Sequence, residues 1–167
     1  MAKKIALWII ALSVIIAFAG EKKNEIKWQT LQDGMNLAKK ENKPLYVFIF
    51  SSHCGWCRKF KQNTLSNSDI INTLSEKFIS AKLNTSSNQK QEFNGKKATQ
   101  RQLASMFGIR GVPTSVFMDS EGKVITKIPG YAPPETFGNI LRYIGEGWYN
   151  DMSYQEFIES ENLLKNK

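Results

Sequence analysis

The chain contains two cysteines, Cys54 and Cys57, which lie three positions apart directly after an apolar run at residues 45–50. The run is rich in residues that favour β-strands, and it gives way to small polar residues and then to a charged segment with helical periodicity. This order predicts a strand, a tight turn and a helix, with Cys54 at the helix N-terminus and Cys57 one turn further on. A cysteine pair at such a junction indicates thiol chemistry.

The N-terminus differs in composition from the rest of the chain. A basic start precedes an almost uninterrupted apolar segment at residues 5–18, and residues 17–19 have the small-x-small pattern of a cleavage site. These features predict a secretory signal peptide at residues 1–19 and a periplasmic or otherwise exported mature protein without stable membrane insertion. An uncleaved anchor is the alternative, although about 16 apolar residues are fewer than the roughly 20 that span a bilayer.

Export narrows the interpretation of the cysteine pair to a structural disulfide or a redox couple. A bridge across two residues closes a very small loop and adds less stability than a long-range one, so the spacing favours a redox couple. A zinc site would need a fourth ligand besides Cys54, Cys57 and His53, which only a second chain could supply. Covalent haem requires histidine where Arg58 stands. We therefore predict no metal and no cofactor beyond the disulfide.

The chain carries a formal net charge of +8, and the predicted mature chain retains 21 basic and 15 acidic residues, a net charge of +6. Such a surface could favour acidic partners or anionic membranes. A solvated lysine-rich surface is the simpler interpretation, because the lysines are scattered. The sequence has no basic patch interleaved with aromatic residues, and it therefore predicts no binding to nucleic acid.

Length and apolar content suit one globular domain. We divide the chain into the signal peptide, a flexible lead-in at 20–25, an α/β domain at 26–146 and a helical extension at 147–167. Predicted strands lie near 26–28, 45–50, 78–83, 113–118 and 123–128, and predicted helices near 30–41, 54–64, 68–78, 99–107, 133–145 and 153–165. A polar insertion at 84–98 could hold a hairpin around Asn94 and Gly95. Early alternation of strands and helices, followed by a hairpin and a helix, predicts a mixed sheet.

The predicted junction assigns different tasks to the residues around the cysteines. Unpaired amides at a helix N-terminus favour a negative sulfur, so we expect a pKa of Cys54 below the ordinary thiol value of about 8.5. Cys57 lies deeper and would act as the resolving thiol. Gly55 would permit a tight turn and is, with His53, a candidate for tuning the couple. Trp56 would supply an apolar face beside the sulfur. His53 either tunes the thiolate or is an exposed loop residue.

Two motifs together resemble the thioredoxin superfamily over residues 26–145. One is C-G-W-C at 54–57, and the other is F-G-I-R-G-V-P-T at 107–114. The similarity is greatest to exported members, which share the run P-G-Y-x-x-P-E-x-F found at 129–137. The resemblance implies a thioredoxin fold: helices flank a central mixed sheet, with a polar insertion before the third core helix and a C-terminal helical extension. It also implies an exported thiol:disulfide oxidoreductase.

The resemblance also implies a substrate groove. The Val112–Pro113 peptide bond would be cis and would pack against the cysteine pair, and Val112 would present backbone groups to an extended substrate. Together with Trp56, these residues are the predicted substrate-binding set. The implied partners are protein thiols and disulfides, with a membrane protein as electron donor.

Two departures from the family pattern affect the expected chemistry. Phe48 occupies the position at which thioredoxin has a buried aspartate that accepts a proton from the second thiol. His53 and Trp56 replace the tryptophan and proline that flank thioredoxin's cysteines. The Gly-Trp dipeptide is more similar to that of periplasmic disulfide isomerases, which favours reduction or isomerisation. A disulfide-forming oxidase and a non-catalytic binding or redox-sensing module are the alternatives.

Overall fold

The computed structural model describes residues 25–165, so the predicted signal peptide and nearly all of the lead-in lie outside the described residues. Within this range the chain forms seven strands: β1 (Trp28–Gln29), β2 (Leu45–Phe50), β3 (Ile79–Asn84), β4 (Lys90–Phe93), β5 (Lys96–Thr99), β6 (Thr114–Met118) and β7 (Val124–Pro129). Its α-helices are α1 (Leu31–Glu41), α2 (Gly55–Lys59), α3 (Ser68–Lys77), α4 (Gln100–Ser105), α5 (Pro134–Gly145) and α6 (Tyr154–Lys165). The predicted elements are all present, although β1 begins two residues later than the sequence predicted.

Five strands form one mixed sheet in the order β1–β3–β2–β6–β7. The first three are parallel, whereas β6 runs antiparallel to β2 and β7 antiparallel to β6. This arrangement confirms the predicted α/β architecture with a mixed sheet. It also brings the end of β2, which leads into the cysteines, beside the start of β6, which follows Pro113.

Strand β2 is the centre of the core, because residues on both of its faces are buried. Tyr46 and Phe48 pack on one side with aromatic residues from the helices, including Phe60 and Phe137. Leu45, Val47 and Ile49 pack on the opposite side against α1, α4 and the neighbouring strands. Burial of each large side chain contributes about 1.5–3 kcal/mol, so the strand is a rigid support for the segment that follows it.

Helix α2 continues directly into a π-helical turn, Phe60–Thr64, so the predicted helix at 54–64 exists but changes its hydrogen-bonding pattern halfway. The Leu65 N–H donates to the Phe60 carbonyl at 2.9 Å, which is the wider spacing of a π turn. The side chain of Thr64 is completely buried, and its Oγ1 donates to the Ala132 carbonyl at 2.7 Å. The end of the cysteine helix is thereby fixed to the loop after β7.

The polar insertion contains the expected two-stranded hairpin, β4 and β5, in register from Lys90–Thr99 to Phe93–Lys96. Asn94 and Gly95 both have positive φ, at 49° and 72°, which suits a two-residue hairpin turn. The Asn94 N–H donates to Gln32 Oε1 at 2.8 Å. This contact holds the hairpin against α1.

The C-terminal segment packs on α5 and is part of the folded body. Phe157 is buried, and its ring lies 5.4 Å from that of Tyr143 between centroids. The Tyr143 hydroxyl donates to the Met152 carbonyl at 2.6 Å. Helix α6 begins with a capping box formed by Ser153 and Glu156, whose side chains and backbone amides bond reciprocally. Within residues 25–165 no helix combines the length and apolar character needed to cross a bilayer.

Candidate active site

Cys54 and Cys57 are joined by a disulfide at the junction of β2 and α2, with their Cα atoms 5.2 Å apart. Cys54 is the N-cap of α2, and Cys57 lies in its first turn. The two residues differ in accessibility: Cys54 is partly exposed, whereas Cys57 is only 1% exposed. An incoming sulfur can therefore reach Cys54 but not Cys57.

The backbone at the start of α2 is directed at the Cys54 sulfur. The Cys57 N–H donates to Cys54 Sγ at 3.0 Å, and the Arg58 N–H donates to the Cys54 carbonyl at 3.2 Å. Amides at a helix N-terminus have no partner within the helix and stabilise negative charge. When the disulfide is reduced, the same amide favours the thiolate form of Cys54.

The loop before β6 lies against the cysteine pair. Its Val112–Pro113 peptide bond is cis, the form that the resemblance implied, and the Val112 carbonyl oxygen is 3.5 Å from Cys54 Sγ. Pro113 is buried, and its carbonyl accepts from the Gly130 N–H at 2.8 Å. Thr114 Oγ1 donates to the Gly111 carbonyl at 2.8 Å. These bonds fix the loop on both sides of the proline.

A groove of about 320 Å³ adjoins the disulfide. Its lining residues are Trp56, Val112, Pro113, Gly130 and Tyr131. The structure thus brings together the three residues predicted to bind substrate. Gly130 and Tyr131 belong to the family run at 129–137, and the sequence alone predicts no role for them. Their position in the turn directly after the last strand is the sequence feature that could have assigned both residues to the groove.

Aromatic and cationic groups form the outer wall of this groove. The ring of Trp56 is 58% exposed and lies 5.8 Å from the ring of Tyr131 between centroids. Lys59 Nζ lies over both rings, 5.0 Å from the Trp56 centroid and 5.1 Å from that of Tyr131. Such cation–π contacts orient the two rings and hold the ammonium group at the rim.

The roles predicted for Gly55 and the two interpretations of His53 stay predictions. Gly55 is not among the residues with positive φ, and a Cβ added there would meet no atom within 4 Å. The turn therefore does not require glycine at this position. The side chain of His53 is exposed, and its backbone N–H donates to Ser51 Oγ at 3.3 Å.

The position of the missing carboxylate is occupied by a buried aromatic ring with an ammonium group beside it. Lys61 Nζ lies 5.8 Å from the ring centroid of Phe48 and 3.6 Å from that of Phe50. Partial burial, and to a lesser extent the charge of Lys82, lower the pKa of Lys61. Phe48 cannot accept a proton, so the buried Cys57 has no acceptor at that position.

Within residues 25–165 there is no cluster of three or more potential metal-binding side chains of the His, Cys, Asp or Glu type.

A mixed sheet flanked by helices, with a C-x-x-C disulfide at a strand–helix junction and a cis-proline loop against it, defines the thioredoxin fold. The family described as "Thioredoxin-like domain" matches residues 31–145. The chain belongs to this family.

Two curated relatives extend the comparison. The chain is 25% identical over 119 residues to the thiol:disulfide interchange protein DsbD of Photorhabdus laumondii, a match that covers 70% of this chain and 19% of DsbD. It is 26% identical over 113 residues to the disulfide bond reductase DsbH of Chlamydia pneumoniae, covering 65% of this chain and 64% of DsbH. The chain thus matches about a fifth of the DsbD sequence.

Solved structures share the fold. A thioredoxin-fold protein from Helicobacter pylori superposes with a TM-score of 0.69 at 22% identity, covering 88% of this chain and 97% of that one. The C-terminal domain of Neisseria meningitidis DsbD, in its oxidised form, gives a TM-score of 0.53 at 17% identity and covers 65% of this chain and 87% of that domain.

Proposed function

We propose that the protein is an exported thiol:disulfide oxidoreductase that exchanges disulfides with protein substrates through Cys54 and Cys57, in the reducing or isomerising direction. One observation carries the proposal: the disulfide joins a partly exposed cysteine beside a groove to a buried cysteine one helical turn away. A structural disulfide needs no such asymmetry, whereas a nucleophile and a resolving thiol do.

Reduction of a substrate proceeds in two exchanges. The Cys54 thiolate attacks one sulfur of the substrate disulfide, so a Cys54–substrate disulfide forms and a substrate thiolate leaves. Cys57 then loses its proton to water and attacks Cys54 Sγ, which forms the Cys54–Cys57 disulfide and releases the second substrate thiolate. Both substrate thiolates take up protons, and two electrons have passed from the protein dithiol to the substrate.

The groove positions the substrate for the first exchange. An extended segment lies along the Val112 backbone as an added strand, with its sulfur next to Cys54. Pro113 and Tyr131 supply apolar walls, and the exposed face of Trp56 packs on the residues beside the substrate cysteine. Because the Cys57 amide already donates to Cys54 Sγ at 3.0 Å, the attacking thiolate needs no rearrangement of the helix.

Two similarities and one sequence prediction support the direction and location. The Chlamydia relative is named as a reductase. The Gly-Trp dipeptide is similar to that of disulfide isomerases. The predicted signal peptide at 1–19 would place the protein in the periplasm, where a reductase requires an outside supply of electrons. We infer a membrane dithiol donor, and the similarity to DsbD supports this inference.

Turnover of an uncharged peptide with an internal disulfide, with dithiothreitol as donor, tests the activity. The wild-type protein should accelerate reduction at least about tenfold, which corresponds to about 1.4 kcal/mol of barrier. Cys54→Ser should abolish the acceleration, whereas Cys57→Ser should accumulate a mixed disulfide with the peptide, visible by mass spectrometry. Wild-type protein that reduces the peptide no faster than dithiothreitol alone would overturn the proposal.

A further inference from the structure

All charged residues in the three segments that build the groove are basic. The segments 42–68, 93–118 and 122–134 contain every residue of the site, and none of them includes an aspartate or glutamate. Arg58 and Lys59 directly follow Cys57, and Arg110 precedes Val112 by two residues. All three basic side chains are exposed. The basic residues scattered along the sequence therefore include three that lie within two positions of Cys57 or Val112 in the chain.

These three cations have no acidic partner within the part of the chain that the structure describes. Its four ion pairs are Lys39–Glu121, Lys43–Glu41, Lys77–Glu146 and Arg142–Glu161. Two other basic residues of the same segments are engaged elsewhere: Lys127 Nζ donates to the Phe107 carbonyl at 2.6 Å, and Lys61 lies over the Phe50 ring. Arg58, Lys59 and Arg110 remain available to an incoming ligand.

Lys59 has a defined position in this set. Its ammonium group lies over the Trp56 and Tyr131 rings at the rim of the groove, 5.0 and 5.1 Å from their centroids. A cation–π contact positions the charge without neutralising it. A carboxylate that enters the groove can therefore approach the ammonium from the solvent side, opposite the rings.

We propose that the substrate is an acidic polypeptide segment, with aspartate or glutamate within about two residues of the cysteine that reacts with Cys54. This inference rests on the proposed function. In an extended segment each residue advances about 3.3 Å, so residues next to the reacting cysteine lie within about 7 Å of it, near the rim that carries the Lys59 ammonium group. Exposed charge pairs of this kind each change affinity by a few-fold, and together they also raise the association rate.

The test uses three peptides of equal length that each carry one cysteine in a mixed disulfide with an uncharged reporter thiol. The residues on both sides of the cysteine are glutamate in one peptide, glutamine in the second and lysine in the third. Second-order rate constants are measured with the reduced full-length protein at low and at high salt. We expect the rate constant to be highest for the acidic peptide, intermediate for the neutral one and lowest for the basic one. At low salt the acidic peptide should react about tenfold faster than the basic peptide, or more. The ratio should fall at high salt because charges on the surface are screened.

Substitution of the three basic residues tests whether they cause the preference for the acidic peptide. In the triple variant Arg58→Gln, Lys59→Gln, Arg110→Gln the acidic-to-basic ratio should fall to within about twofold of one. The matched control removes the same charge from the exposed lysines of the hairpin, with Lys90→Gln, Lys96→Gln and Lys97→Gln, and should keep the wild-type ratio. Because each ratio is taken within one variant, a change in the intrinsic reactivity of Cys54 cancels.

Each outcome decides between the two claims. If wild type fails to react with the neutral peptide, the proposed function is wrong. If it reacts with all three peptides at equal rates, or if the ratio survives in the triple variant, only the acidic-substrate inference is overturned. A further measurement is cosedimentation of the protein with phosphatidylglycerol vesicles. If the three peptides react at equal rates, and if wild type binds the vesicles but the triple variant does not, the cations bind a membrane surface instead.

Discussion

The sulfur of Cys54 lies 3.5 Å from the carbonyl oxygen of Val112, although the two residues are 58 positions apart in the chain. The contact exists because β2 and β6 are neighbours in the sheet, so the turn that follows one strand meets the loop that precedes the other. A substrate backbone that pairs with this loop is therefore held next to the sulfur that attacks it. The fold thus combines the binding edge and the nucleophile in one place.

The difference in burial between the cysteines predicts unequal reactivity. In the reduced protein at neutral pH, iodoacetamide should modify Cys54 at least about tenfold faster than Cys57, because only an accessible thiolate reacts. Mass spectrometry of proteolytic peptides measures both rates. The rates should converge in guanidinium chloride, and a faster reaction at Cys57 in the native protein would contradict the assigned roles.

The exposed ring of Trp56 should contribute to substrate binding and little to stability. Trp56→Ala is expected to reduce kcat/KM for the uncharged disulfide peptide by about tenfold, a typical loss for an aromatic anchor, with Tm almost unchanged. Met106→Ala is the matched control, because Met106 is 62% exposed and does not line the groove. An equal loss of kcat/KM in both variants would contradict the assignment of Trp56 to the groove.

The buried bond from Thr64 Oγ1 to the Ala132 carbonyl should stabilise the whole domain. Thr64→Val leaves that carbonyl without its partner and is expected to lower the free energy of unfolding by about 1–3 kcal/mol. Urea denaturation measures the change. Thr73→Val removes a similar bond to the Asp69 carbonyl at an exposed helix position and should cost much less. Equal losses would show that burial of the bond does not determine its contribution.

The capping box of α6 predicts a stability effect that depends on pH. The Ser153 side chain, and secondly its backbone N–H, donate to Glu156 and lower the pKa of that carboxyl group below its ordinary value of 4.5. A carboxyl group with a lowered pKa in the folded state stabilises the fold above pH 4.5, and this contribution is lost as the pH falls through the folded-state pKa.

Ser153→Ala should therefore lower Tm most near pH 7, and the difference from wild type should shrink as the pH falls below 4.5 and through the folded-state pKa of Glu156. Thermal unfolding followed by circular dichroism at several pH values measures this difference. The control is Ser105→Ala, which removes a bond to the Gln102 carbonyl and involves no titratable partner. If the Tm difference between wild type and Ser153→Ala stays constant from pH 7 to pH 3, the charge of Glu156 does not contribute to the cap, which would contradict the prediction.

Local sequence patterns were sufficient for the elements that carry the cysteines. The unbroken apolar run of β2 is typical of a strand that is buried on both faces, and the C-x-x-C motif directly after it placed Cys54 at a helix start. Side-chain caps such as Thr30, which accepts from the Asp33 N–H, were equally predictable because they involve residues within one turn. Each of these features depends on neighbours in the sequence alone.

Features that depend on distant contacts were less predictable. Tyr131 joins the groove only because two bonds position the loop after β7: Thr64 holds it to the π turn after α2, and the Gly130 N–H holds it to the Pro113 carbonyl before β6. No local pattern contains that information. The π turn Phe60–Thr64 is a similar case, because its last residue, Thr64, donates a hydrogen bond to the distant Ala132 carbonyl. The basic residues are scattered along the sequence, and only the fold shows that Lys59 lies at the groove rim.

The reduction potential of the Cys54–Cys57 couple, measured by equilibration with glutathione buffers and alkylation, tests the central claim most directly. A reductase or isomerase that cycles through this pair should titrate reversibly as a two-electron couple between about −180 mV, near protein disulfide isomerase, and about −270 mV, near thioredoxin. A potential near about −120 mV would identify a disulfide-forming oxidase. A potential below about −300 mV would identify a structural disulfide, and either value would contradict the proposed function.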